Sequence, residues 1–344
     1  MRVGMAGLNG LYWPMAIGGG LRKRPGVEFL AAATLGDDAS EIEANLGLSP
    51  DAYAARYGLR LYHEPEEMIQ AEKLDTVVIV SRHSRHADWV ERLAPLGVNI
   101  FLPKTFASTL AEADRIVKAQ QTNGIQIAVG PSARFLPQMA AVKNAIAAGL
   151  IGEPFAARIC HHHGTIDVFK QSDWYRDPAE GGPELSLGWY GIDLAQVLMD
   201  DLVKTVGASY GNYTSPDSPF MDCGRIVMGM RRGATVSFDM YFCNRLNYPS
   251  WQLEVIGPKG VISIHRREGD PYQTVVALDS PAGYSLLPVP TETPHWELFW
   301  RDELMAGKEP TITAKSARQI TIVSLAARDA AAFGEVVAIP EEIE

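Results

Sequence analysis

Ser186, Tyr190 and Asp193 recur at i, i+4 and i+7. A helix through them would stack a hydroxyl, a phenol and a carboxyl on one face. The segment opens on Gly181-Gly182, which suits a backbone that turns tightly or lies close to a ligand. It then runs mostly apolar to Met199 with no proline after Pro183, the pattern of a buried helix. Polar groups on the buried side of such a helix need partners or a ligand. This stretch is therefore the candidate catalytic helix. The plainer alternative is a core tyrosine and a hydrogen-bonded structural acid.

A second group is the run His161-His162-His163. On a strand, His161 and His163 share one face and His162 points the other way. Two imidazoles could begin a zinc site, but the sequence identifies no third or fourth ligand, so no metal is expected. One face is expected to line a substrate crevice and the other to serve packing or subunit contact. His163, Trp174, Arg176 and Arg134 are accordingly substrate-side candidates. A satisfied structural histidine or a salt-bridged arginine is the alternative for each.

The elements that must position these groups fall into two halves. Apolar runs at 2–8, 27–33, 75–80, 98–102 and 125–129 read as doubly buried strands. Helical stretches to about residue 24 and at 49–57, 65–72, 84–96 and 109–121 alternate with them, as in βαβ units of a parallel sheet. After a helix at 136–148, strands at 154–165, 204–213, 225–230, 234–242, 250–256 and 261–265 arrive in succession. Helices at 296–306 and 314–333 close the chain. The expected fold class is α/β: a doubly wound Rossmann domain over 1–130, then an α+β domain with a large, mainly antiparallel sheet over 131–344. The crevice between two such domains is the default site.

The first strand ends in Gly7-Leu8-Asn9-Gly10-Leu11-Tyr12. A strand–turn–helix there can bind a pyrophosphate through backbone N–H groups, with Gly7, Asn9, Gly10 and Leu11 as the cofactor-binding turn. Asn9 and Tyr12 stand where the usual three-glycine fingerprint has glycine. Asparagine tolerates the left-handed conformation, whereas Tyr12 is harder to reconcile with close helix–strand packing. At the end of the second strand the ribose-binding acid is replaced by Thr34, with Asp37 and Asp38 three and four residues later. That loss leans towards NADP, but no arginine follows directly to hold a 2′-phosphate, so both NAD and NADP stay open.

The 344 residues are 47% hydrophobic and 21% charged, enough to bury a sizeable core in roughly two domains. A net charge of -10 without a long basic run excludes nucleic acid and anionic membrane as partners. Cys160, Cys223 and Cys243 are odd in number and lack metal-type spacing, which fits a reducing cytoplasm. Asn9 and Pro14 interrupt the apolar N-terminus and Arg22-Lys23-Arg24 follow it, the reverse of a signal peptide.

Taken together, these motifs resemble the glucose–fructose oxidoreductase, inositol dehydrogenase and MocA (Gfo/Idh/MocA) family of NAD(P)-dependent oxidoreductases. The resemblance spans nearly the whole chain. It rests on Val80-Ser81-Arg82-His83-Ser84-Arg85-His86, Phe101-Leu102-Pro103-Lys104-Thr105-Phe106-Ala107, Arg134-Phe135, the stretch from Trp174 to Asp193, and Gly307-Lys308-Glu309-Pro310. It implies nicotinamide or ribose contacts for Ser81, His83 and His86; a helix N-terminal polar cluster is the alternative. Lys104 matches the family's catalytic lysine, with Pro103 and Thr105 in place of the usual neighbours. Tyr190 stands where the branches carry histidine or tyrosine, Ser186 where they usually carry aspartate, and Asp193 matches an acid that often meets substrate.

Hydride transfer from an alcohol needs a base for the hydroxyl proton. Unperturbed lysine and tyrosine, with pKa values of about 10, are poor bases near neutrality. A cationic neighbour would favour tyrosinate and lower the lysine's own pKa. The resemblance thus implies an enzyme acting on a carbohydrate-like substrate, with Tyr190 exchanging the proton and Lys104 polarising the same oxygen, in a homodimer or homotetramer. A lyase or isomerase that uses bound NAD(P) transiently, and a non-catalytic sugar-binding protein, are the rival expectations.

Overall fold

The computed structural model describes residues 1–163, 174, 177–214, 221–242, 251–295 and 298–341. Arg176, Cys243 and the ends of the strands expected at 154–165 and 250–256 lie partly or wholly outside these residues, as does Trp296. The chain divides into two compact units, one of residues 1–131 with 167–181 and 297–321, the other of 132–166, 182–296 and 322–344.

The first unit is built on a six-stranded sheet. Its strands are β1 (Arg2–Ala6), β2 (Glu28–Ala33), β3 (Arg60–Tyr62), β4 (Thr76–Ile79), β5 (Asn99–Pro103) and β6 (Ile127–Gly130). They lie in the order β3-β2-β1-β4-β5-β6, every pair parallel. Val77, Val78, Ile79, Ile100 and Leu102 are fully buried, as expected of strands covered on both faces. The order reverses at β1, so the turns after β1 and β4 flank a topological switch point, where such sheets bind ligands. Helix α1 (Trp13–Arg22) follows β1, and α2 (Ala39–Leu46), not anticipated from sequence, is capped by Asp38 through Ser40 N–H and Glu41 N–H. The helix expected at 84–96 is one α-helical stretch, α3 (His86–Leu93), between two 3-10 turns. The C-terminal segment also builds this unit. Trp300 stacks on Phe101 with ring centroids 4.6 Å apart, and Val129 N–H donates to Ile312 at 3.0 Å.

The second unit is built on a nine-stranded sheet: β7 (Ala156–His162), β8 (Val203–Gly211), β9 (Cys223–Met230), β10 (Thr235–Tyr241), β11 (Trp251–Gly257), β12 (Gly260–Arg267), β13 (Asp270–Ser280), β14 (Gly283–Leu286) and β15 (Val337–Ala338). The order is β14-β13-β12-β11-β7-β10-β9-β8-β15, antiparallel except where β7 runs parallel to β10. The expected largely antiparallel sheet is present, extended by β13, β14 and β15.

Helix α4 (Gly182–Met199) packs on one face of this sheet. Leu185, Ser186, Leu187, Trp189, Tyr190, Ile192, Asp193, Leu194 and Ala195 are all buried, so the helix is enclosed on nearly every side. Gly191 makes the close approach possible: a Cβ there would stand 2.1 Å from the Phe238 ring on β10. Any side chain at this position would push the helix, and Tyr190 with it, off the sheet.

Candidate active site

The cofactor-side candidates sit at the carboxyl ends of the parallel strands. Gly7 follows β1 at φ +98°, and a Cβ there would fall 2.0 Å from the Val80 carbonyl oxygen. Gly10 meets the same residue, since its Cβ would stand 2.0 Å from Val80 Cγ1. Both glycines therefore let the turn lie against the end of β4. Leu11 takes the left-handed conformation at φ 57° and is buried, while Tyr12 is exposed at the start of α1, which resolves the expected packing conflict. Asn9 is fully buried. Its Oδ1 accepts from Asn45 Nδ2 at 2.5 Å, but its own Nδ2 has no partner among the described residues.

Thr34 is buried after β2, and Asp37 lies beside it. Burial raises the pKa of Asp37, although Arg85 stands 3.7 Å away and lowers it in part. Arg82 reaches Glu41 at 2.5 Å. Two arginines of the turn after β4 thus pair with acids of the segment that follows Thr34, a long-range pairing that local sequence could not reveal.

That turn holds Ser81, His83 and His86, all buried. His86 Nδ1 donates to the Phe106 carbonyl at 3.1 Å, and His83 Nδ1 to the Glu180 carbonyl at 2.8 Å. The His83 ring meets His86 and Trp174 edge-on, at centroid distances of 5.7 and 5.5 Å. Burial, with the nearby His86 and Lys104 charges, pushes His83 down to about 3; burial pushes His86 down to about 4. Both are neutral imidazoles at pH 7.

Lys104 is 5% exposed just beyond β5, and burial lowers its pKa to about 7. The expected cause was a cationic neighbour; here desolvation alone suffices. The Thr105 hydroxyl beside it is buried with no partner among the described residues.

In the second unit, Trp251 on β11 pairs directly across from His161 on β7. Their rings stack at 3.9 Å and 9°, and both turn edge-on to Tyr190, at 5.7 and 5.9 Å. His163 lies 5.6 Å from His161, on the shared face expected from the strand alternation. His162 stacks instead on Tyr241, at 5.1 Å. Among the described residues no three His, Cys, Asp or Glu side chains converge as a metal set.

Ser186 and Asp193 are fully buried on α4. Asp193 Oδ2 accepts from Ser132 Oγ at 2.5 Å and from Arg134 Nε at 3.1 Å, and Asp193 Oδ1 accepts from Arg134 Nη2. The structure thus joins two substrate-side candidates, the half-buried Arg134 and the fully buried Asp193, in one ion pair. Trp174 lies against His83, and Arg176 lies outside the described residues. Sequence reasoning missed Glu180 and Trp251, whereas it had already placed His161 on one strand face with His163.

These features define a two-unit oxidoreductase whose first unit is an NAD-binding Rossmann fold. Residues 1–131 match the oxidoreductase family model for that fold, and residues 139–263 match the GFO/IDH/MocA C-terminal domain. The chain belongs to the Gfo/Idh/MocA family of NAD(P)-dependent oxidoreductases.

Among its relatives is a D-apiose dehydrogenase of Paraburkholderia graminis, 27% identical over 270 residues, which cover 74% of this chain and 70% of that protein. Another is the myo-inositol 2-dehydrogenase of Thermotoga maritima, 24% identical over 59% of this chain and 60% of the relative. In fold, the chain is similar to an Agrobacterium radiobacter oxidoreductase solved with NAD+, L-tartaric acid and magnesium, with TM-score 0.81, 20% identity and coverage of 98% of both chains. It is equally similar to the aldose-aldose oxidoreductase of Caulobacter crescentus solved with glycerol, with TM-score 0.81, 20% identity and coverage of 98% and 99%.

The residues present fit a dinucleotide. Asn9 Nδ2 and the Thr105 hydroxyl are buried and unpartnered among the described residues, each able to donate to an acceptor. No acidic residue stands in the first turn of α1 to repel a phosphate.

Proposed function

We propose that this protein is an NAD(P)-dependent dehydrogenase of a sugar or polyol, with Lys104 and Tyr190 acting at the reacting oxygen. The observation that carries the reading is Lys104: a buried lysine at the carboxyl end of a parallel strand, with its pKa brought down to about 7. Such a group can hold or release a proton near neutrality, as general acid–base chemistry requires. The dehydrogenase activities named for the Paraburkholderia and Thermotoga relatives point to the same substrate class.

When bound, the nicotinamide supplies the hydride acceptor. Asn9 and the amides opening α1 would hold the dinucleotide's phosphates, and His83, His86 and Lys104 would surround its reactive end. Tyr190, fixed by the His161–Trp251 stack, exchanges the hydroxyl proton, and Lys104 polarises that oxygen. Ser186 in place of the usual aspartate leaves one fewer carboxylate for a substrate hydroxyl.

The sheet face that carries Arg225, Val227 and Asp239 is open to solvent within the chain, and pairing with another copy would cover it, giving a dimer or tetramer. No helix among the described residues is long and apolar enough to cross a membrane. The direct test is a panel of sugars and polyols incubated with NAD+ or NADP+. Reduction of either cofactor supports the proposal; no reduction with any alcohol, while an elimination or isomerisation proceeds with bound cofactor, supports the lyase alternative.

A further inference from the structure

Glu180 is a buried carboxylate, 5% exposed, in the 3-10 turn Pro178–Glu180. It sits 96 residues from Ser84 in the chain, yet it binds that residue twice: Oε2 accepts the Ser84 N–H at 3.0 Å and Oε1 accepts the Ser84 hydroxyl at 2.7 Å. Its main-chain carbonyl accepts from His83 Nδ1 at 2.8 Å. One residue therefore grips two consecutive residues of the turn after β4. The bonds to Ser84 also offset the cost of burying the carboxylate and satisfy an amide that opens the helical segment.

These contacts decide the chemistry of His83. A carbonyl oxygen can only accept, so the imidazole must carry its proton on Nδ1. The neutral ring then has an accepting lone pair at Nε2. His83 is flanked by the His86 ring, the Trp174 ring and the charge of Lys104. A reversed tautomer would present an N–H at Nε2 instead of a lone pair.

We propose that Glu180 is a positioning residue, which by holding Ser84 and His83 together fixes the His83 imidazole as the Nδ1–H tautomer in the cofactor-side turn. The inference deepens the dehydrogenase reading and rests on it only in taking this turn to meet nicotinamide. In this role Glu180 acts through geometry and not through its charge. A glutamine would serve as well, since its oxygen can accept the Ser84 N–H and its amide can donate to Ser84 Oγ. An aspartate, one methylene shorter, would not reach.

The test uses the full chain with 15N-labelled imidazoles, the His83 signal being assigned by its loss in His83→Asn. The parent and Glu180→Gln should show the Nδ1–H tautomer, and Glu180→Ala and Glu180→Asp a mixed or reversed one. In fluorescence titrations with NADH, Glu180→Ala and Glu180→Asp should bind about tenfold more weakly than the parent, and Glu180→Gln within about threefold of it. The parent tautomer and affinity in Glu180→Ala would overturn the proposal. If Glu180→Ala does not fold, the other pair decides: Glu180→Gln and Glu180→Asp both like the parent, or both impaired, would overturn it. If neither the parent nor any variant binds NADH or NADPH, the dehydrogenase reading fails, while the tautomer measurement still decides the role of Glu180.

Discussion

Trp251 lies flat against His161, 3.9 Å between ring centroids, and the two rings turn edge-on to Tyr190. Cross-strand pairing of β11 with β7 sets the stack, and Gly191 lets α4 come close enough for Tyr190 to meet it. The phenol is thus held by packing, as a group that must meet a reacting atom in one geometry should be.

If Tyr190 exchanges the proton, Tyr190→Phe keeps the ring and its packing but loses the hydroxyl. Turnover should fall by about 100-fold or more, with NADH affinity unchanged. Steady-state rates beside a cofactor titration check this, and unchanged turnover would remove Tyr190 from the chemistry.

Lys104 should carry a stability cost. Its folded pKa of about 7 lies below the unfolded value of 10.5, so between these values the unfolded chain binds more protons and stability rises with pH. Below about pH 7 the folded state carries a buried ammonium and the full cost is present. Lys104→Met should therefore be more stable than the parent at pH 6, by on the order of 5 kcal/mol, with the gap closing towards pH 10. Urea denaturation across that range measures it, and a gap independent of pH would refute the depressed pKa.

His83 and His86 act in the acid range. Their folded values of about 3 and about 4 lie below the unfolded 6.5, so between those limits the unfolded chain binds the extra protons. Stability should then fall as pH drops from 6.5 towards 4. His83→Asn should reduce the slope by about one proton's worth, which denaturation midpoints taken from pH 7 down to 4.5 would reveal.

Asp193 is fully buried and pairs with the half-buried Arg134, so removal of the carboxylate leaves the guanidinium and Ser132 without their shared acceptor. Asp193→Asn should cost about 2–4 kcal/mol, read as a lower urea midpoint. A change in substrate KM without loss of stability would instead assign Asp193 to substrate.

The α/β architecture was legible because its strands are buried on both faces and read as unbroken apolar runs, such as that from Thr76 to Val80. The i, i+4, i+7 face of α4 was legible for the same kind of reason: a local period needs no knowledge of partners. What stayed hidden was either marginal in pattern or distant in chain. The four residues of β14 are all exposed at a sheet edge and carry no alternation. The helix at Ala39–Leu46 is short and buries only Ile42. The pairing of Trp251 with His161, of Glu180 with Ser84, and of Arg85 with Asp37 depends on which strands and turns become neighbours. Residue types alone do not carry that information.

The most direct test of the central claim is a fluorescence titration of the purified protein with NADH and NADPH. Saturable binding of at least one is the predicted result, and the preference between them shows whether Thr34 with Arg82 and Arg85 admits a 2′-phosphate. Absence of binding to both by the folded protein would contradict the dehydrogenase account.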